Sequence, residues 1–306
     1  MTLLRGQLLT TGPLALIAAC YLVAAPSLPN SRVEQLFPSS LSGRTGVLVK
    51  DCETVADQLQ QQLSREWNVV VHSPFVIAGN CPASQLDRYY RDTIAPTARA
   101  LSVQYFDQPP TWPVSIVLCT SDESYRECHQ QLGDKNRSEY SGIYSRSLHR
   151  IVVNIATGEG TLAHELTHAL AHADFPDLPE WLDEGLASLY EECEFSADEE
   201  RLVGLENWRG EIVRGALSTG KLRSVADMAT EPFAKVNPSV EYSQARYFCL
   251  YLEKRNLLEP FYRKCRSNSK TKINTLDSLC DLTGATSGRE LDDMFRAWLA
   301  SRGSSR

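Results

Sequence analysis

The segment His164-Glu165-Leu166-Thr167-His168 sets two imidazoles four residues apart, with a carboxylate directly after the first. On a helix, residues four apart sit about 40° apart around the axis and one turn along it. Both imidazoles can therefore reach one metal ion. Glu165, on the adjoining flank, is then close enough to take a proton from water held by that ion. The bland alternative is a pair of exposed histidines on a polar helix face, because three fixed residues also recur by chance. The neighbours favour a helix: Leu162, Leu166, Ala169, Leu170 and Ala173 form one apolar stripe, and both histidines project from the opposite side. Such a helix is expected to lie between a packed core and a cleft.

The residues beyond Asp174 narrow the choice. After a short loop closed by Pro176, a second helix is predicted to open at Asp177-Leu178-Pro179-Glu180, with proline and acids where a first turn favours them. Its apolar positions are Trp181, Leu182, Leu186, Leu189 and Tyr190, with Glu184-Gly185 in the middle. Glycine inside a helix costs about 1 kcal/mol relative to alanine, a loss that close approach of a neighbouring helix would offset. Glu184 is expected as the third protein donor, completing a His₂Glu set with one position left for water. His172 continues the four-residue series but is a poorer rival, given helix drift and the better-placed glutamate. Glu180, near the helix start, suits the helix dipole. Ser188 could hydrogen-bond a donor histidine, or could be only a small residue at a helix contact.

The pairing of HExxH with Trp181-Leu182-Asp183-Glu184-Gly185-Leu186-Ala187 resembles the gluzincins, the thermolysin-like metallopeptidases, and above all their small peptidase-MA-like branch. The specific similarity covers Ser141 to Glu192. It implies zinc on His164, His168 and Glu184, with Glu165 as general base. A metzincin would place its third histidine six residues after His168, and the further signature of an aspzincin, for which Asp174 would serve, is missing. No GxMEN-type exopeptidase segment lies upstream, so aminopeptidase activity is not implied. The resemblance also implies that Gly142 to Tyr144 is a cleft-facing strand and that a carboxy-terminal helical lobe closes the other side. Within that lobe, Tyr242 of Glu241-Tyr242-Ser243-Gln244-Ala245 would donate to the oxyanion, the plain alternative being a packed helix tyrosine. The implied activity is zinc-dependent peptide hydrolysis on a peptide or protein substrate. The rival of another class is a gluzincin-like module that keeps the site and binds peptides or proteins without turnover.

The elements that must position these residues read as an α+β fold. Residues 1–30 are a leader, 31–50 a linker, 51–192 the α+β core with the metal site, and 193–306 the helical lobe. Within the core, helices are predicted over 55–65, 82–105 and 121–132, and strands over 67–77 and 114–119. A strand pair is predicted over 141–155. Beyond Glu192 no strand is expected, and helices are predicted over 201–216, 240–254, 258–266 and 288–301. A length of 306 residues allows one or two domains, and 42% hydrophobic and 23% charged residues are ordinary globular values. A net charge of −7 offers no basic face for nucleic acid and no polybasic membrane patch.

Arg5 precedes an uncharged run from Gln7 to Leu28, apolar from Pro13 to Ala25, which predicts export to an extracytoplasmic compartment. Cleavage, lipidation at Cys20 in Ile17-Ala18-Ala19-Cys20, and retention as a membrane anchor are three fates the sequence leaves open. Outside the leader are Cys52, Cys81, Cys119, Cys128, Cys193, Cys249, Cys265 and Cys280, an even number that favours disulfides in an oxidising compartment over buried thiols. Nearest-neighbour pairing would join Cys52 to Cys81, Cys119 to Cys128 and Cys265 to Cys280, leaving Cys193 with Cys249. Asn136-Arg137-Ser138 is a glycosylation sequon in a eukaryotic host. Non-reducing mass spectrometry of protein from its native compartment is expected to find most of the eight oxidised. Eight free thiols there would place the protein in a reducing compartment.

Overall fold

Val76, Ala78, Val117, Cys119 and Val152 alternate along their strands with Phe75, Ile77, Val114, Ile116, Leu118, Ile151 and Val153, and all are buried. Strands apolar on both sides must be covered on both faces, and this sheet is. The computed structural model of the chain describes residues 45–133, 140–233, 237–268 and 275–302. Its sheet contains β1 (Asn68–His72), β2 (Phe75–Gly79), β3 (Val114–Cys119), β4 (Gly142–Ser145) and β5 (Arg150–Asn154), in the order β1-β2-β3-β5-β4. Strands β2, β3 and β5 run parallel, and both outer strands are antiparallel to their neighbours. Helices α1 (Thr45–Gln62) and α4 (Asp122–Gln131) supply Cys52, Leu59, Tyr125 and Cys128 to the core on one face. The other face packs on α2 (Ala83–Tyr89), α3 (Ala95–Gln104) and α5 (Glu159–Asp174). The arrangement is α+β.

Helix α6 (Glu180–Leu189) follows, then α7 (Arg209–Ser218), α8 (Val225–Thr230), α9 (Pro238–Glu253), α10 (Leu258–Asn268), α11 (Thr275–Thr283) and α12 (Gly288–Ser301). Several elements differ from the sequence reading, which also lacked α8 and α11. Helix α1 begins at Thr45, so the last residues read as linker are helical. The strand expected over 67–77 is a hairpin, because Ser73 and Pro74 form a turn and proline cannot donate to the ladder. The helix over 82–105 passes through one π turn, Tyr90–Ile94, just before Pro96, which lacks the N–H needed to continue the ladder. Strands do not stop at Glu192: β6 (Cys193–Phe195) pairs with β7 (Leu202–Gly204). At three residues each they are too short to show periodicity, and α7 begins later than expected. The leader, most of the linker and the sequon lie outside the described residues. No helix among the described residues is long and apolar enough to cross a membrane.

The eight cysteines outside the leader are thiols in this structure. Cys52 packs in the cluster under α1 and Cys81 in the other, so the expected pairing of these two would have to cross the sheet. Cys119 lies against Cys128, and this contact together with burial raises the Cys119 thiol pKa.

The helical portion is tied to the sheet portion at Asp174, the last residue of α5. Its side chain is wholly buried, and both oxygens meet Nη1 of Arg266 on α10, at 2.6 and 2.7 Å. The backbone N–H groups of Asp107 and Gln108 donate to Oδ1, and the Tyr262 hydroxyl donates to Oδ2 at 3.0 Å. A buried carboxylate so fully hydrogen-bonded is a structural tie, which removes Asp174 from the candidate metal donors. Removing one partner of a buried pair costs about 3 kcal/mol or more. Asp174→Asn is therefore expected to lower urea unfolding stability by about that amount, and a loss below about 1 kcal/mol would contradict the tie.

Candidate metal centre

Helix α5 lies with Leu162, Leu166, Ala169 and Leu170 in the core and its histidines on the far side, as its apolar stripe requires. There the Nε2 atoms of His164 and His168 stand 3.1 Å apart. Oε2 of Glu184, from α6, lies 3.7 Å from the first and 3.6 Å from the second. Four ligands about 2.0–2.1 Å from a tetrahedral zinc lie about 3.3 Å from one another, so these spacings suit the edges of such a site. No hydrogen-bond donor reaches the buried Glu184 Oε2.

Each of the three donors is held from outside. His168 Nδ1 meets Asp183 Oδ1 at 2.7 Å, and Asp183 Oδ2 meets His172 Nε2 at 2.7 Å. His164 Nδ1 lies 3.0 Å from Glu191 Oε1, in a bent contact. Glu191 is gripped in turn by Arg209, Nε to Oε2 at 3.2 Å and Nη2 to Oε1 at 3.1 Å. The Tyr242 hydroxyl donates to Glu184 Oε1 at 3.2 Å. Burial alone would raise the Asp183 and Glu191 pKa values. The adjoining His168 and His172 hold Asp183 well below the carboxylate range, and His164 with Arg209 hold Glu191 at about 2. Both carboxylates are thus acceptors, which favours a proton on each Nδ1, so that in the neutral ring Nε2 is the nitrogen left to ligate. With both rings neutral, two Nε2 lone pairs and the Glu184 carboxylate converge, an arrangement that a cation neutralises.

Glu165 is buried beside this set. Burial raises its pKa from the ordinary glutamate value, against the pull of the two imidazoles and a hydrogen bond from the Tyr144 backbone N–H. That N–H belongs to β4, the sheet's outer strand, which runs along α5 so closely that a Cβ on Gly142 would come within 2.6 Å of Thr161 and 3.0 Å of Glu165. Only glycine leaves the Glu165 carboxylate where it is.

The structure brings together His164, His168, Glu184, Glu165 and Tyr242. His172 stands one turn further on, and its Nε2 is engaged by Asp183. The grouping of His168, His172 and Asp183 also converges, but its 2.7 Å contacts are those of hydrogen bonds rather than of ligands spread around an ion. Glu180 is exposed in the first turn of α6. Ser188 does not hold a histidine: its buried hydroxyl has no partner, and the part expected of it falls to Asp183 and Glu191. The expected close neighbour at Gly185 is α9, where an added Cβ would meet Cys249 Sγ at 2.7 Å and the Ala245 carbonyl at 2.9 Å. Arg246 of α9 donates to the Ser188, Leu189, Glu192 and Leu205 carbonyls, satisfying the end of α6. The sequence reading passed over Asp183, Glu191 and Arg209. Asp183 sits beside a predicted donor and could have been weighed as a histidine partner, whereas Arg209 carries no local signal.

No protein-family model matches this chain, and no curated protein matches it.

In metal titrations, His164→Ala, His168→Ala or Glu184→Ala is expected to weaken zinc binding far more than Glu180→Ala, with Asp183→Asn costing about 10- to 100-fold. A His172→Ala variant weaker than Glu184→Ala would move the centre one turn along α5. Gly142→Ala is expected to keep zinc while displacing Glu165, which a crystal structure of that variant would register.

Proposed function

We propose that this chain is a zinc-dependent peptide hydrolase of gluzincin-like fold, working outside the cytoplasm. The observation that carries the reading is the convergence of three possible ligand atoms, His164 Nε2, His168 Nε2 and Glu184 Oε2, with the buried Glu165 carboxylate beside them. The donor set fits zinc, which bound there would polarise the scissile carbonyl and acidify water. Glu165 takes the proton from the attacking water and later passes it to the leaving amine. A carboxylate whose pKa is raised by burial is a stronger base than one in water. Tyr242 stays a phenol, because burial and the neighbouring Glu184 carboxylate raise its pKa further. From its place beside Glu184, the same O–H can donate to the oxygen on which charge builds. The outer edge of β4 gives an extended peptide a strand to lie against.

Glu165→Gln keeps size and shape and leaves the donor set untouched. At full zinc occupancy it is expected to hydrolyse a mixed peptide library about 10²- to 10⁴-fold more slowly than wild type. Tyr242→Phe is expected to lose up to about 10²- to 10³-fold with binding little changed. If wild type and Glu165→Gln bind peptides alike and neither cleaves, the chain is a binding module. Equal cleavage by both would give the base role to another residue.

A further inference from the structure

Glu191 and Arg209 bracket the β6–β7 ribbon, one at its entry and the other just past its exit. The base of the ribbon is closed by the Leu205 N–H donating to the Glu192 carbonyl at 3.0 Å and by Arg246, which grips the Glu192 and Leu205 carbonyls. Arg209 is fixed in its own right. Its backbone N–H donates to Asn207 Oδ1, Asn207 is held by the Tyr247 hydroxyl, and the guanidinium lies 4.6 Å above the Trp208 ring. An ion pair tying the ends of a ribbon would explain one contact. It does not explain why Glu191 Oε1, bonded by Arg209 Nη2, also lies 3.0 Å from His164 Nδ1, in a bent contact.

We propose that Arg209 is a positioning residue for His164, acting through Glu191. The inference rests on His164 being a metal donor, as proposed above. A glutamate side chain turns about three bonds, and one contact to a histidine leaves its carboxylate plane undetermined. Two parallel donors from a planar guanidinium fix that plane, and with it the oxygen aimed at Nδ1. In the neutral ring, an acceptor held there favours the proton on Nδ1 and turns the Nε2 lone pair toward His168 and Glu184. Arg209 opens α7, so a residue of the helical portion sets the ring orientation of a donor on the sheet-packed helix. Lysine would keep the charge but not the fork, since an ammonium cannot hold both oxygens in one plane.

The test begins with metal-free protein labelled with ¹⁵N in histidine, held at alkaline pH so that the imidazoles are neutral. ¹⁵N–¹H correlation spectra then give the tautomer of His164 in wild type, Arg209→Met, Arg209→Lys and Glu191→Gln. Arg214→Met, on the same helix, is the charge control. Wild type and Arg214→Met are expected to show Nδ1–H only. Arg209→Met is expected to show mixed tautomers and, in chelator competition, zinc binding about 10-fold weaker or more, with Arg209→Lys intermediate. Should Arg209→Met fail to fold, Glu191→Gln reports the same link. Nδ1–H unchanged in the variants, with zinc affinity within about twofold of wild type, would overturn the proposal. A tautomer that follows Arg209 in a chain that cleaves no peptide would sink the hydrolase reading and leave this one standing. Cleavage with an unmoved tautomer would do the reverse.

Discussion

Two imidazole nitrogens and a carboxylate oxygen face one another across less than 4 Å, and the rest of the structure is arranged to hold them so. An unsatisfied buried acceptor costs about 1–3 kcal/mol even when neutral. Left free, each of these groups would turn toward water or a backbone N–H. They do not, because each is gripped at its other end: His164 against Glu191, His168 against Asp183, Glu184 against Tyr242. The site is best described by these outer contacts. They fix which nitrogen carries the proton, and so which atoms are left for a cation.

The grips come from parts of the chain far apart in sequence. The sheet presses α5 into place through Leu162, Leu166 and Leu170, and glycine at Gly142 lets β4 lie against Glu165. Helix α9 packs on α6 at Gly185, caps its end with Arg246 and brings Tyr242 to Glu184. Arg209 arrives at the start of α7, and Asp174 locks the far end of α5 to α10 through Arg266. Polar groups in such a network stand or fall together, since a half-satisfied buried carboxylate is worse than none.

Much of this was legible in the sequence, for reasons that can be named. His164 and His168 are four apart on one helix, and that spacing alone sets their rings side by side. Glu184-Gly185 stood out because glycine inside an apolar helix needs a reason, and the reason is the close approach of α9. Strand β3 was bounded correctly at both ends, since Ser121 caps the next helix and the strand is an unbroken buried run with β-branched Val114, Ile116 and Val117. What was missed is tertiary. The distance from Arg209 to Glu191 depends on a three-residue ribbon whose strands are too short to read. Of the two readings of Ser188, histidine partner or small residue at a helix contact, the second holds: Arg246 takes the carbonyls around it, and Glu191, one turn further, approaches His164 instead.

The central claim is that His164, His168 and Glu184 converge on one cation, and anomalous scattering at the zinc edge from crystals of zinc-loaded protein tests it most directly. The account predicts a single strong peak about 2.0–2.1 Å from His164 Nε2, His168 Nε2 and a Glu184 carboxylate oxygen, with Asp183 and Glu191 still on the opposite ring nitrogens. A peak between His172 and Asp183, or zinc bound at the cysteines with none at the three donors, would contradict it.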